Sequence, residues 1–268
     1  MRGHLIRTSE GDWKSYEGYA GVSDYLQAVS RGLVPGASVF GAFGRMVTSG
    51  AVTNTLIWPD GALNVPAVAG VQMTFASTSD QDGLNGGGTG IRALHVHYLD
   101  SSLAEKEEIV TLNGTNNVLS VALDIRWIQC MHLETFGSSK AAVGIITAKN
   151  NAITYSQLAA GDTRCTSSAR MVPAGKRLMV QALSGGAVSG TAAASAQLFF
   201  GTSVFGGRDY TQDGILIPIA AQAAQDSGTA LSIPIASPFE AGTLVGMLGT
   251  VDKAAILLCS WFGWLEPV

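Results

Sequence analysis

The chain has 268 residues, enough for one large or two ordinary domains with a full hydrophobic core. Its net charge of −4 at pH 7 provides no basic field that would attract nucleic acid or an anionic membrane. Charged residues make up only 13% of the chain and apolar residues 47%, so we expect part of the surface to be buried in an assembly. A neutral monomer with a surface of Ser, Thr and Gly is the alternative.

The N-terminal region is predicted to be an extended arm followed by one short helix. Residues 1–19 are polar and aperiodic, whereas Ser23 is a suitable N-cap for a helix over residues 24–31 that ends at Gly32. We expect this arm to clamp a neighbouring subunit, and packing on its own domain is the alternative. Aromatic residues dominate interface energetics, so the predicted anchors are Trp13, Tyr16, Tyr19 and Tyr25.

Beyond the helix, short segments with strand-like alternation are separated by turn residues about every 8–12 positions. The clearest part is 71–115, with predicted strands at 71–75, 91–99 and 108–112, a glycine-rich loop at 77–90 and a turn at 101–106. This pattern predicts an all-β chain built from antiparallel β-sandwiches of the jelly-roll type. The predicted organisation is an arm with a short helix at 1–45 and sandwich domains at 46–160 and 161–268.

The last predicted strand, 254–265, is the most apolar segment of the chain. It is shorter than the about 20 residues that span a bilayer, so we predict a buried strand and no membrane partner. Burial between sheets or under another subunit is favoured over carbohydrate stacking for its aromatic residues. Trp261 and Trp264 are therefore further interface candidates.

Three cysteines, Cys130, Cys165 and Cys259, lie in apolar or small-residue surroundings at wide spacing. We predict buried free thiols, and a single disulfide remains open.

Two groups of residues are candidates for metal ligands. His95 and His97 project from one face of a predicted strand and could bind a metal together with His132. A polar or inter-subunit face is favoured, because no cysteine or carboxylate stands at ligand spacing. Asp80 and Asp82 begin a sequence similar to a calcium loop, but Ile91 occupies the closing carboxylate position, so a polar hairpin loop is favoured.

No assembled catalytic constellation is present in the sequence. Glu105, Glu107 and Glu108 are expected on a solvated turn rather than across a cleft. The sequence therefore predicts a non-enzymatic protein with no cofactor.

Several short motifs occur in an order that resembles a group of tailed-bacteriophage virion proteins, common in phages of cyanobacteria and marine bacteria. The motifs are RG at 31–32, VPG at 34–36, GTGIR at 88–92, VTLNGT at 110–115 and VPAGK at 172–176. The resemblance covers about residues 26–183 and implies a structural component of the virion without fixing its position there.

Together these observations predict a virion protein that assembles through apolar sandwich surfaces and its arm. Its expected partners are further copies of itself and other virion proteins, such as major capsid, portal, neck or tail proteins. The alternative is a tail-tip or fibre module that binds cell-surface glycan. That alternative calls for aromatic residues in the loops at 77–90 and 185–190, which contain none.

Overall fold

The computed structural model describes residues 5–7, 13–15, 25–59, 64–84, 87–188, 194–203, 217–224, 227–231 and 238–268. Over this part of the chain the fold is antiparallel β-structure with eighteen strands and one helix of six residues. The predicted all-β class is confirmed.

From the N-terminus, the first five elements are β1 (Leu5–Arg7), β2 (Trp13–Ser15), α1 (Tyr25–Ser30), β3 (Ser38–Val47) and β4 (Val52–Leu56). The next seven are β5 (Thr74–Ser77), β6 (Ile91–Leu99), β7 (Glu105–Thr111), β8 (Val118–Leu119), β9 (Trp127–Phe136), β10 (Ile146–Asn150) and β11 (Ile153–Leu158). The last seven are β12 (Arg170–Met171), β13 (Lys176–Val188), β14 (Ala194–Ser203), β15 (Ile217–Ala224), β16 (Ser227–Leu231), β17 (Leu244–Val251) and β18 (Ile256–Pro267).

Eight of these strands form a jelly roll. One sheet has the order β16-β13-β18-β3, and the facing sheet has the order β4-β17-β14-β15, with the short β12 also paired to β17. When only these eight strands are numbered along the chain, the orders become 6-3-8-1 and 2-7-4-5, the strand order of a jelly roll. The first two strands come from the N-terminal part of the chain and the other six from the C-terminal part.

Seven further strands, β5 to β11, form a second sandwich inserted between β4 and β12. Its sheets have the orders β11-β10-β5-β8 and β7-β6-β9, and they enclose a core that includes Phe75, Leu94, Val96 and Met131. We call this unit the insert sandwich. The chain leaves and re-enters the jelly roll at adjacent points, because the Ser168 amide donates a hydrogen bond to the Ile57 carbonyl at 3.1 Å.

The predicted division of the chain differs from these pairings. The turn pattern places residues 46–58 in the first sandwich, but β3 pairs with β18 and β4 pairs with β17, more than 190 residues away in sequence. Turn signals do not reveal such long-range pairing. The predicted boundary near 160 lies close to the point where the chain returns to the jelly roll.

Trp261 lies at the centre of the jelly-roll core. It is 1% exposed, and its Nε1 donates to the Ser168 carbonyl at 2.7 Å. Its ring packs near those of Phe40 and Phe200, with centroids 5.9 and 6.0 Å away. Trp261 is thus buried between the sheets, and its prediction as an interface residue is wrong because no part of it is left for a neighbour.

Helix α1 covers one end of the β3–β18 edge. Ala28 and Val29 are buried, and the ring of Tyr25 lies 5.1 Å from that of Trp264. The Tyr25 hydroxyl also reaches Glu266 Oε2 at 3.5 Å. Both aromatic residues therefore make contacts within their own chain. Of the other predicted anchors, Trp13 begins β2, which pairs with β1, while Tyr16 and Tyr19 lie outside the described residues.

A smaller apolar cluster joins the two sandwiches. Leu99 and Trp127 of the insert sandwich pack with Met171, Leu244 and Leu248 of the jelly roll. Gln129 adds a paired contact to the backbone of Met171, donating to its carbonyl and accepting from its amide. The two units therefore share a buried, hydrogen-bonded junction.

Candidate functional site

Three histidines meet on the outer face of the β7-β6-β9 sheet. Leu94, Val96 and Tyr98 of β6 point into the insert core, so the alternating residues His95 and His97 point away from it. In the register of the sheet, His95 is opposite His132 of β9. The predicted convergence of these three side chains is what the structure shows.

The three imidazoles lie close enough to share one ligand. Their ring centroids are 4.4 Å apart for His95 and His97, 5.0 Å for His95 and His132, and 5.2 Å for His97 and His132. One nitrogen from each ring can be chosen so that all three lie within 4.8 Å of one another. The cluster is half-buried, with 23% of the His95 side chain and 41% of the His97 side chain exposed.

Two carboxylates complete the cluster, and neither was expected from the sequence. Glu107 Oε2 lies 3.2 Å from His95 Nε2 and 3.7 Å from His97 Nδ1. Glu134 Oε2 lies 3.6 Å from the other nitrogen of His95, Nδ1. The expectation that no carboxylate stands at ligand spacing is therefore wrong.

The error came from the length of the turn between β6 and β7. Asp100 makes this turn shorter than predicted. Its Oδ1 accepts hydrogen bonds from the Ser102 amide at 2.9 Å and the Ala104 amide at 3.0 Å, so the turn ends at Ala104. Strand β7 therefore begins at Glu105, and Glu107 lies directly opposite His97. A predicted turn at 101–106 places Glu105 outside the strand and leaves the register unassigned.

The surroundings favour neutral imidazole at His97. Partial burial lowers the pKa of His97, and the neighbouring His95 and His132 lower it further by charge repulsion. A neutral ring retains the nitrogen lone pair that a metal ion or a hydrogen-bond donor requires.

Cys130 lies on the same face of β9, beside Cys165. The two sulfur atoms are 3.2 Å apart, and both residues are free thiols, as is the buried Cys259. A hydrogen bond from Cys165, helped by Arg170 and Arg164, lowers the pKa of Cys130 to about 5. The same contact, together with burial, raises the pKa of Cys165.

The two aspartates of the calcium-like sequence have structural partners within the chain. Asp82 is buried, and each of its carboxylate oxygens accepts two hydrogen bonds. Oδ1 accepts from the amides of Ile91 and Val143, and Oδ2 accepts from the Ser77 hydroxyl and the Gly144 amide. Asp80 accepts from the amide and hydroxyl of Thr115, and these hydrogen bonds lower its pKa. Through these hydrogen bonds the two aspartates stabilise the conformation of the loop. Their carboxylates do not converge on a common point where a calcium ion could bind.

A separate feature is the apolar outer face of the jelly-roll sheet that contains β3 and β18. Along β3, Phe40, Ala42 and Met46 pack against the core, so the alternating side chains point outward. Phe43 is 45% exposed and Phe262, on the neighbouring β18, is 42% exposed. We call this surface the β3–β18 face; its exposed apolar residues are Val39, Phe43, Val47, Val188 and Phe262.

No family model and no curated protein matches the chain. Among solved structures, the VP2 subviral particle of infectious bursal disease virus aligns over 86% of this chain and 76% of its own, with 9% identity and a TM-score of 0.19. The structure of the Gx strain of the same virus aligns over 92% of this chain and 78% of its own, with 11% identity and a TM-score of 0.21. The assignment of the jelly roll rests on strand order and not on these alignments. Among the described residues, no helix is long and apolar enough to cross a membrane.

Proposed function

We propose that the protein is a non-enzymatic structural component of a tailed-phage virion, which assembles through apolar sandwich surfaces as a capsid-associated, neck or tail protein. The motif order described above supports this assignment, and so does the jelly roll, which is a frequent fold of viral coat domains. The N-terminal arm is proposed to add contacts with neighbouring subunits.

The observation that carries the proposal is the β3–β18 face. Its exposed phenylalanines and valines lie on adjacent paired strands, since Gly41 between Val39 and Phe43 is opposite Phe262. Several exposed apolar side chains on adjacent strands mark an interaction site more often than free surface. In a chain with only 13% charged residues, it is the kind of surface that a neighbouring subunit would cover.

The energetics of such a contact suit a particle held together without covalent links. A standard interface buries about 800 Å² on each partner, about 60% of it apolar, and at ~25 cal/mol per Å² of apolar surface this gives about 12 kcal/mol of gross stabilisation per partner. Loss of translational and rotational freedom offsets about 4–15 kcal/mol of that. A repeated contact therefore retains a net stabilisation, which symmetry multiplies over the copies in a ring or shell.

The test is a double substitution of the two phenylalanines, Phe43→Ser and Phe262→Ser. Each lost aromatic anchor is expected to weaken association about 30-fold, since a hot spot contributes about 2 kcal/mol or more. Sedimentation velocity of the purified protein should then show a shift from oligomer to monomer, with an unchanged circular-dichroism spectrum. Incorporation into particles should fall in parallel.

The matched control is Val121→Ser with Leu123→Ser. These residues are also exposed and apolar, at 86% and 69%, but they lie on the insert sandwich. The control should assemble like the parent protein. Assembly of the phenylalanine variant at the parent level would overturn the proposal for this face.

Imaging of the virion would then fix the position of the protein. A shell component is expected in many copies, whereas a neck or tail ring is limited by cyclic closure to about a dozen or fewer. Absence of the chain from purified particles would refute the assignment to the virion.

A further inference from the structure

We propose that His95, His97, His132 and Glu107 form a binding site for a divalent transition-metal ion, best matched by zinc, on the outer face of the insert sandwich. This site is separate from the β3–β18 face, which lies on the jelly roll.

Glu107 is already near coordination spacing from two of the three histidines, His95 and His97. In a tetrahedral zinc site with bonds of about 2.0–2.1 Å, neighbouring ligand atoms are about 3.3 Å apart. The separations from Glu107 Oε2 to His95 Nε2 and His97 Nδ1, 3.2 and 3.7 Å, bracket this value. The imidazole nitrogens, within 4.8 Å of one another, need only small side-chain rotations to close around an ion.

The backbone holds these side chains in register. His95 and His97 are on the central strand β6, His132 is directly opposite His95 on β9, and Glu107 is directly opposite His97 on β7. Cross-strand neighbours in an antiparallel sheet have Cβ atoms about 4.5–5.5 Å apart, so all four ligands arise from one patch of fixed backbone. A bound ion would join three adjacent strands.

Glu134 lies at an ion-pair distance from His95, at the position where metal-binding histidines usually make their outer contact. His95 directs Nε2 towards Glu107, and its Nδ1 lies 3.6 Å from Glu134 Oε2. A carboxylate that accepts a hydrogen bond from the second ring nitrogen fixes the tautomer and orientation of a ligating histidine. Glu134 is therefore assigned as a positioning residue and not as a ligand.

The side chains of this cluster have the chemistry of a transition-metal site. The rings of His95 and His97 are stacked with centroids 4.4 Å apart, beside the Glu107 carboxylate. One metal ion satisfies three neutral imidazoles and the carboxylate together. Imidazole-rich sets bind zinc, copper, nickel or iron in preference to calcium or magnesium, which select oxygen ligands.

The test uses the full chain purified without a polyhistidine tag, stripped with chelator and titrated calorimetrically with ZnCl2 alone. One equivalent of zinc should bind per chain. At a zinc concentration about 100 times the Kd, the Tm should rise by about 5–10 °C, because an ion that binds only the folded state stabilises it. Cobalt(II) should bind at the same site and give the intense visible absorption of a tetrahedral complex.

Three single variants identify the ligands. His97→Gln and Glu107→Gln should each lose the zinc-induced Tm shift and the cobalt spectrum. Both side chains are substantially exposed, so neither substitution is expected to disturb the fold. The matched control is Glu105→Gln, two residues before Glu107 on the same face of β7, which should bind as the parent does. No zinc or cobalt uptake by the parent chain would overturn the proposal, and so would uptake that His97→Gln and Glu107→Gln leave unchanged.

Discussion

At the scale of single residues, Asp82 shows how one buried charge organises a loop. Its carboxylate accepts hydrogen bonds from three backbone amides and one hydroxyl, and these donors come from three separate segments of the insert sandwich. Hydrogen bonds to a buried carboxylate are stronger than neutral ones, and donors left without an acceptor are costly. Asp82 therefore holds the glycine-rich loop against β6 and the segment before β10.

Replacing Asp82 by Asn should destabilise the insert sandwich by about 3 kcal/mol, because the amide group turns a donor towards backbone N–H groups that need an acceptor. Urea unfolding followed by tryptophan fluorescence would measure this change. The control is Asp80→Asn, whose exposed carboxylate accepts from Thr115 among the described residues, and its effect should be much smaller. Equal losses in the two variants would contradict the assigned role of Asp82.

Cys130 is the thiol for which the structure predicts unusual reactivity. The hydrogen bond from Cys165 lowers the pKa of Cys130 and so favours its thiolate at neutral pH, whereas burial raises the pKa of Cys259 to about 12. Alkylation by iodoacetamide, followed by peptide mapping, should modify Cys130 first, at a rate that changes little between pH 6 and 8.

The variant Cys165→Ala removes the hydrogen-bond donor and should raise the pKa of Cys130. Its alkylation at pH 7 should then be slower, and the rate should increase with pH. A tenfold rise in the Cys130 rate per pH unit in the parent protein would show that its pKa is not lowered.

At the scale of elements, local alternation located individual strands but not their partners. The predicted strand 91–99 coincides with β6, because alternating apolar residues there face one core. By contrast, β3 is one continuous strand through Gly44, a residue type that turn patterns usually associate with a break. A Cβ on Gly44 would lie 2.5 Å from the Ile57 carbonyl and 2.8 Å from Cys259 Sγ, so this glycine marks a close approach and not a turn.

The candidate site was predictable only in part for a related reason. The two-residue spacing of His95 and His97 places them on one face from the sequence alone. Glu107 depends on cross-strand register, which the positive φ of Leu103 (65°) and the early closure by Asp100 determine. A one-residue error in such a turn reverses every side chain of the following strand.

The pairing of β13 with β18 gives a prediction at this scale. Gly263 is opposite Val180 beside an irregularity in the ladder, and a Cβ on it would fall on the Met179 carbonyl group. Gly263→Ala should therefore force the strands apart and reduce the free energy of unfolding by about 3 kcal/mol. Gly50→Ala, where an added Cβ meets nothing within 4 Å, should leave it almost unchanged. Chemical denaturation of both variants would measure the difference, and a loss confined to Gly50→Ala would refute the assignment.

At the scale of the whole molecule, the notable property is that one sandwich interrupts the other. The jelly roll cannot close until β3 and β4 meet β17 and β18, which lie near the opposite end of the sequence. The insert sandwich has short-range pairings and a core of its own. Because the closure of long loops costs more entropy than that of short ones, we expect the insert to fold first and bring the jelly-roll strands together.

This organisation predicts that residues 64–166 fold alone, and it specifies which contacts they lose. In the full chain Leu99 is buried against the jelly roll, so Leu99→Ala should cost about 3 kcal/mol there. In the isolated fragment the side chain loses those neighbours, and the same substitution should cost less than about 1 kcal/mol.

Val96→Ala is the matched substitution, because Val96 is buried within the insert core itself. It should cost the same, about 2 kcal/mol, in the fragment and in the full chain. Urea unfolding of the two parents and their four variants measures all these differences. A Leu99 cost equal in both backgrounds would mean that the junction adds nothing to stability, whereas a Val96 cost confined to the full chain would mean that the insert has no independent core.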